Sequence, residues 1–428
     1  MQRAGTVVVL AAGQGTRMRS SGAKVLHPLC GRPMLGYVLD PVRALDPERI
    51  LVVVGHGADE VRRWIESAAK DARIACVPQP EQKGTGHALQ ACIPELERSS
   101  GPVIVLYGDM PCLEVATLLA LRAALAGCAA ALVTARPARL RGFGRIRRDG
   151  SGALRGIVEE KDASPEERAI REVNVGVYAF EKQALLERLP RLSNRNAQGE
   201  YYLTDVVDLL LEDKKRVATV ALEDEREVIG INTLEHLSEA RAVLQERILL
   251  HHLGNGVYIE DPCTTYVDHG VEIGAGTRIL PCSVIRAGVV IGKACEVGPF
   301  THLRSGTHLE DGAEIGNFTE TKQARIGKGT KAKHLSYLGD VTIGAQANIG
   351  AGTIVANYDG RAKHHTDVGD RAFVGSGSVL IAPCRVGDGA LTGAGAVVTR
   401  RTEIPPGEAW VGIPAKPLRR GPKAKDGP

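Results

Sequence analysis

Apolar residues recur at every sixth position across much of the second half of the chain. Ile273, Ile279, Ile285, Ile291, Val297, Leu303, Leu309 and Ile315 keep this spacing without a break, and Gly follows directly at 274, 292, 298 and 316. An α-helix repeats every 3.6 residues and a half-buried strand every two, so a period of six belongs to neither. It suits a chain wound around a triangular prism, each unit giving a short strand, a turn and one inward apolar side chain. Three units close a coil, and successive coils stack in parallel. This is the hexapeptide pattern of a left-handed parallel β-helix. The period slips after Ile315, resumes as Ile326, Ala332 and Leu338, and again as Ile343, Ile349 and Val355. A loop over Asn357–Thr366 (NYDGRAKHHT) then leaves the pattern before Val368, Val374, Leu380 and Val386 restore it. A regular column does no chemistry by itself, so a site is expected where the rhythm breaks.

In the first half, short β-branched runs alternate with helical patterns. Strands are predicted at Thr6–Leu10, Ile50–Val54 and Val103–Leu106, with helices near Asp59–Lys70, Gly86–Leu96 and Val115–Ala126. A helical patch at Leu203–Leu211 and a strand near Arg216–Ala221 follow. The alternation predicts a largely parallel α/β sheet. Leu237, Leu244 and Ile248 share one face of a connecting helix that Gly254 stops. The predicted boundaries are 1–229 for the α/β domain, 230–256 for the linker helix, 257–415 for the prism and 416–428 for a disordered basic tail.

Composition narrows this little. At 428 residues the chain exceeds one ordinary core. Its aromatic content of 4% agrees with a narrow prism filled by small aliphatic side chains, and a net charge of +4 gives no support for a nucleic-acid partner. There is no run of about 20 uncharged apolar residues. Leu118–Val133 comes nearest, but it carries Arg122 and reads as a soluble helix, so no membrane partner is expected. The run Val7–Ala12 is short for a signal peptide and leads into a Gly-rich loop. Nine cysteines without a CxxC pair or metal spacing predict mostly buried free thiols and a cytoplasmic setting.

The first candidate chemistry lies in Val7–Met18 (VVVLAAGQGTRM), a buried strand running into that loop. Gly13 and Gly15 let backbone N–H groups approach phosphates, although such a loop is equally an ordinary strand-to-helix turn. Arg17, and Lys24 in KVLHP, add two cations beside it and point to a nucleoside triphosphate.

With the following K-V-L, the stretch resembles the sugar-phosphate nucleotidyltransferases. Further motifs follow in order: QPEQKGTGH (79–87), YGDMP (107–111), GFGRI (142–146), IVEEKD (157–162), NVG (174–176) and NAQGEYYLTD (196–205). With the prism behind them, nearly the whole chain resembles the bifunctional N-acetylglucosamine-1-phosphate uridyltransferase/glucosamine-1-phosphate N-acetyltransferase family. The resemblance implies an α/β Rossmann-like nucleotidyltransferase domain followed by the β-helix. It implies that Leu10, Ala11, Ala12, Gly13, Gln79, Gly84, Thr85, Tyr107 and Gly108 contact UTP. Gly144, Glu159 and Asn174 would bind the N-acetylglucosamine moiety. Asp109 and Asn232 would hold Mg²⁺, while Arg17 and Lys24 neutralise phosphate charge during in-line attack on the α-phosphorus. Read without the resemblance, Asn232 begins a helix-capping box (NTLE) and Gln79 is an ordinary surface polar residue.

In the prism, PFTHLR (299–304), GNFTETK (316–322), KHLSYLGD (333–340) and Asn348–Tyr358 carry the likeness. The implied base for acetyl transfer is His334, histidine being the residue type most often used to move a proton. Arg304, Lys322, Tyr337 and Asn348 would hold glucosamine-1-phosphate, and Ala351, Asn357, Tyr358, Ser376 and Ala394 would line an acetyl-CoA groove between prisms of a homotrimer. Two departures stand out. The stretch joining Ile291-Gly to Pro299-Phe is about one coil short, and Val411 stands where the family usually places an Arg that reaches coenzyme A; Arg419 or Arg420 could substitute. The implied enzyme acetylates glucosamine-1-phosphate and then transfers UMP from UTP to N-acetylglucosamine-1-phosphate. The alternative is a single-activity nucleotidyltransferase with a structural or regulatory β-helix. The presence of Arg17, Lys24 and Asp109 argues against a non-catalytic scaffold.

Overall fold

The computed structural model describes residues 4–18 and 22–418. The predicted tail beyond 418, with Arg419 and Arg420, lies outside the described residues. The chain forms two compact units, Met1–Val243 and Leu244–Pro428, divided within the helix Leu234–Gly254.

The first unit is built on a nine-stranded sheet: β1 Ala4–Leu10, β2 Pro47–Val54, β3 Ile74–Pro78, β4 Val103–Tyr107, β5 Ala130–Ala135, β6 Arg145–Arg148, β7 Leu154–Val158, β8 Val173–Phe180 and β9 Val217–Ala221. The main path runs β9-β5-β8-β4-β1-β2-β3, with β6 pairing β8 and β7 beside it. Helices cover both faces, so the central strands read as continuous apolar runs rather than alternations; Val7, Val8 and Val9 are all fully buried. β1 is parallel to β2 and β4, whereas β8 runs antiparallel between β4 and β5. Leu10 lies opposite Val53 and Tyr107, so the loops leaving β1 and β4 emerge side by side at the carboxyl edge, the usual ligand edge of such sheets. One expectation fails here. Leu118–Val133 is not one helix: the helix Val115–Ala124 ends and β5 begins at Ala130, because the alanine-rich run that follows Gly127 enters the sheet fully buried.

The second unit is the prism. Register advances by three full hexapeptides per coil, as in Arg278↔Glu296, Val284↔His302 and Val290↔His308, one pair per face. Each inward aliphatic is preceded two residues earlier by a small inward residue, often a hydroxyl: Thr277 before Ile279, Ser283 before Ile285, Thr301 before Leu303. These hydroxyls satisfy carbonyls of the turns, as Thr277 does for Gly292 at 2.9 Å and Thr301 for Gly316 at 2.6 Å.

The slip has a simple geometry. Thr321, fully buried, takes the next inward position after Ile315. Its coil then falls a single residue short of the regular advance, as in Ile315↔Ala332 and Thr321↔Leu338, and the next does likewise at Ala332↔Ile349. The missing residue comes out of a corner, where the strands Glu320–Ile326 and Tyr337–Ile343 pass from one face to the next without a turn. The loop after Asn357 makes the coil that contains it much longer, as in Val355↔Leu380, and the regular advance returns at Thr366↔Cys384.

A second corner changes side chain partway up the column. Phe300, Phe318 and Leu335 occupy equivalent left-handed positions in successive coils, with φ of 53°, 55° and 52°. The phenyl rings are exposed and stack 5.1 Å apart. The same position is then glycine in the next three coils, at Gly352, Gly377 and Gly395. A bulky ladder thus stops at Leu335, and a bare backbone corner begins above it.

Candidate active sites

In the α/β unit the loop after β1 is tied down on both sides: Ala11 N–H donates to Val53 O at 2.9 Å and Gly108 N–H to Leu10 O at 2.9 Å. Ala11 and Ala12 are buried while Gly13 is exposed. Gly15 adopts φ +62°, and a Cβ there would stand 2.8 Å from Lys24 Cβ, so glycine is required where the lysine stem crosses the loop. Lys24 is nearly buried, and its Nζ donates to Asp109 Oδ2 at 2.6 Å and Asn232 Oδ1 at 2.9 Å. Arg17 Nη2 reaches the same Asn232 oxygen at 3.3 Å. Four sequence-predicted residues therefore converge on one point.

The capping reading of Asn232 is displaced by its neighbour. Thr233 Oγ1 accepts from His236 N–H at 3.2 Å, so Thr233 caps the helix that starts at Leu234 and leaves the Asn232 side chain for the cations. Gln79 is likewise no surface residue. It is 3% exposed, and its amide donates to Gly84 O at 3.1 Å and lies 3.1 Å from His87 Nδ1. Gly84, at φ +103°, packs where a Cβ would lie 2.5 Å from Tyr201 O. Thr85 Oγ1 accepts from Leu203 N–H at 3.1 Å, which joins this loop to the motif at 196–205.

The predicted sugar-binding residues form a wall on β6–β8. Gly144 O accepts from Asn174 N–H, and a Cβ on Gly144 would come within 3.5 Å of Glu159 Oε2. Asn174 is buried and donates to Tyr178 OH at 2.6 Å. Burial raises the Glu159 carboxyl, and a hydrogen bond from Thr204 Oγ1 at 3.0 Å opposes that rise. Burial likewise raises the Tyr107 phenol, so it remains a neutral group in this wall. Thr204 carried no role in the sequence reading. Its signal was the T-D ending of the 196–205 motif, three residues before the buried Val207.

In the prism, His334 is exposed and its Nδ1 lies 3.1 Å from Asn317 Oδ1. An amide oxygen only accepts, so this contact assigns the proton to Nδ1 and leaves the Nε2 lone pair free. Asn317 is the residue directly below His334 in register. The shortened coil that sets this pairing was not legible from the period. Arg304 pairs with Glu320 at 2.7 Å. Lys322 sits beside Lys363, and that second ammonium, with Arg304 farther off, holds Lys322 below the usual lysine range. Lys363, like Asn317 and Thr204, carried no role in the sequence reading; it is the one lysine in the excursion loop. Asn357 bonds Asp340 and reaches Tyr337 OH at 3.5 Å, which ties that loop back to the column.

His334, Ala351, Ser376 and Ala394 stack up one corner, linked by Gly352 N–H to His334 O, Gly377 N–H to Ala351 O and Gly395 N–H to Ser376 O. Three predicted groove residues thus stand in one file above the predicted base, beside the glycine corner. Tyr358 projects outward from the loop, 60% exposed. Asn348 lies on the strand that enters this corner, pairing with Lys331 and Phe373 three residues before it. Val411 ends a short strand, and a Cβ on Gly393 would press against its side chain.

A doubly covered α/β sheet with cations at its carboxyl edge, continuing into a hexapeptide prism, defines the class: nucleotidyltransferases that carry a hexapeptide transferase in the same chain. Family models agree, a MobA-like NTP transferase domain matching residues 7–210 and a bacterial transferase hexapeptide (six repeats) matching 365–400. The chain is 42% identical to the bifunctional protein GlmU of Streptomyces avermitilis over 96% of its own length and 92% of that protein's. It is 44% identical to the GlmU of Thermobifida fusca (95% and 91% covered) and 43% to that of Trichlorobacter lovleyi (93% and 94%). The chain belongs to the GlmU family. It is a bifunctional enzyme, with uridyltransferase and glucosamine-1-phosphate acetyltransferase activities.

Proposed function

We propose that the two activities reside in the two clusters just described and that they act in sequence on one sugar phosphate. In the first reaction the amine of glucosamine-1-phosphate attacks the thioester carbonyl of acetyl-CoA. His334 Nε2 takes the proton from the amine as the C–N bond forms, and the C–S bond breaks to release the coenzyme thiolate. Asn317 keeps the ring in the tautomer that can accept. Arg304, Lys322 and Tyr337 hold the sugar phosphate, two cations meeting its charge. Ala351, Ser376 and Ala394, with Asn357 and Tyr358 from the loop, line the path of the acetyl donor. The single observation that carries this reading is the change of corner at His334: bulky ladder below, glycine above. It leaves an open file of small residues leading to one imidazole.

In the second reaction a phosphate oxygen of N-acetylglucosamine-1-phosphate attacks the α-phosphorus of UTP in line and pyrophosphate leaves. The loop Leu10–Gly13, Gln79, Gly84, Thr85, Tyr107 and Gly108 place the nucleotide; Gly144, Glu159 and Asn174 place the sugar. Arg17 and Lys24 neutralise phosphate charge, so catalysis is mostly positioning and electrostatics. Asp109 and Asn232 fit Mg²⁺: two oxygens converge on one ammonium at 2.6 and 2.9 Å, and an oxygen-only set suits a hard dication that completes its shell with phosphate and water. When bound, Mg²⁺ supplies further charge neutralisation at the triphosphate.

Asn348 pairs three residues before the corner that carries His334 and Ala351, and assembly as a homotrimer, in which a neighbouring prism completes the cluster, accounts for its place in the predicted site. Nine cysteines, all free, support a cytoplasmic setting, and no helix among the described residues is long and apolar enough to cross a membrane. The assignment is tested by division of labour. Asp109→Ala should lower pyrophosphate release at least a hundredfold and spare thiol release from acetyl-CoA, and His334→Ala should do the reverse. Loss of both activities in either variant would sink the two-site assignment.

A further inference from the structure

The metal position in the α/β unit is filled by a side chain of the enzyme itself. Lys24 Nζ lies 2.6 Å from Asp109 Oδ2 and 2.9 Å from Asn232 Oδ1, the two oxygens assigned above to the dication. The pair is shielded, with side-chain exposures of 9% for Lys24 and 22% for Asp109. Arg17 rests on the same Asn232 oxygen at 3.3 Å. The lysine meant for phosphate is thus parked on both residues meant for metal, and the arginine on one of them.

The local architecture fixes where the lysine starts and frees where it ends. Its backbone is held in the short turn Lys24–Leu26, with Leu26 N–H on Ala23 O at 2.9 Å and His27 Nδ1 3.2 Å from Lys24 O. The stem crosses the phosphate loop at Gly15, where no Cβ would fit. The ammonium can therefore reach either the Asp109 carboxylate or a phosphate on the loop while its backbone stays in place.

A dication cannot share this place with Lys24. Two positive charges would face each other across one carboxylate, and a displaced ammonium with no anion to receive it would be left desolvated. Among the described residues no group of three His, Cys, Asp or Glu side chains could hold a metal, so the protein alone offers a thin donor set. A triphosphate resolves both problems at once, giving the lysine a new partner and the dication further oxygens.

We propose that Lys24 is a resident cation that holds the metal position closed until nucleotide arrives, so that the dication enters with the triphosphate and not ahead of it. The proposal rests on the assignment of Asp109 and Asn232 as metal ligands. It makes Lys24 a positioning residue in the free enzyme as well as a phosphate ligand in the loaded one. A closed state populated about 99% of the time weakens apparent metal affinity about a hundredfold.

The test uses full-length enzyme without nucleotide and Mn²⁺ as the probe, free Mn²⁺ being counted from its electron paramagnetic resonance signal. Wild-type protein should bind Mn²⁺ weakly, with Kd on the order of 1 mM, the range of poorly organised oxygen sites. Lys24→Met and Lys24→Gln should each tighten it at least tenfold, and adding Asp109→Asn should abolish that gain. Equal or weaker binding in folded Lys24 variants overturns the proposal. So does micromolar binding by wild-type protein that Asp109→Asn removes, a result that needs no Lys24 variant. If the tightened site survives Asp109→Asn, the ligand assignment itself falls, and the gating idea falls with it.

Discussion

Gly377 offers a direct way to close the acetyl-donor path without touching a polar group. It sits at φ +71° in the file that holds Phe300 and Phe318 lower down, and the nearest atoms to a Cβ there, both of Gly395, are 3.8 Å away. Gly377→Phe should therefore continue the aromatic ladder across the glycine corner, beside Ser376, as the two native rings do at φ of 53° and 55°. A left-handed residue with a side chain costs about 1–2 kcal/mol. For a unit of this size that lowers the melting temperature by roughly 2–8 °C and leaves the column folded. Thiol release from acetyl-CoA should fall at least a hundredfold in kcat/KM, about 2.7 kcal/mol of lost transition-state binding. Uridyltransferase activity should be unchanged. Gly389→Phe is the control: Gly389 has φ +62°, nothing within 4 Å of a Cβ, and a place at another corner. It should carry the same strain and keep thiol release. If Gly377→Phe acetylates normally, the glycine corner is not the donor's path.

Other consequences can be read with simple assays. Asn317→Ala should lower acetyl-transfer kcat about tenfold with little change in KM for glucosamine-1-phosphate, since the ring loses its tautomer and not its substrate; an unchanged kcat would mean His334 needs no orienting partner. Burial raises Asp208 to about 6 from 3.8, so the folded state holds a proton that the unfolded state has released between those values. The stability this group contributes is present in full below about pH 4 and is lost as pH rises through 6. Asp208→Asn keeps an acceptor for Ile157 N–H, so at pH 8 it should raise stability by about 1–2 kcal/mol in urea unfolding and at pH 4 by nothing; a gain equal at both pH values would refute the assignment. Thr233→Ala should cost about 1 kcal/mol by removing a helix cap, with circular dichroism melts as the readout; a cost confined to uridyltransferase kinetics would mean the cap is dispensable.

The prism was legible because one inward aliphatic per six residues is a strong, unambiguous period. The β1 loop was legible because glycines and cations stand together in sequence. What stayed hidden depended on register. Asn317 and His334 sit just short of three hexapeptides apart and meet only because one corner residue is missing. Thr321 breaks the aliphatic period while keeping its inward place, because an inward hydroxyl serves as well as a methyl when a neighbouring hydroxyl satisfies it, here that of Thr307 at 2.9 Å. Gln79 and Leu118–Val133 misled for opposite reasons. A polar amide was buried because Gly84 O and His87 satisfy it, and an apolar run was divided between a helix and a strand. The competition at Asn232 is decided only in the fold, where Thr233 next door, an equally good cap in sequence, takes the His236 N–H.

The uneven coils have a consequence for how this column can change length. Azimuth around the prism axis is set by counting faces, and residues are only the means. Short, regular and extended coils all return the chain to the same bearing, which is why His334, Ala351 and Ser376 stay in line across a shortened corner and a long excursion alike. Removing one complete revolution below Arg304 therefore lowers everything above it without turning any of it. Removing a single hexapeptide would rotate Arg304 and His334 together by a third of a turn relative to the coils beneath, leaving their mutual geometry intact but pointing the pair toward a different neighbour. Length in this half of the molecule is free in whole revolutions, and heading is what selection has to protect.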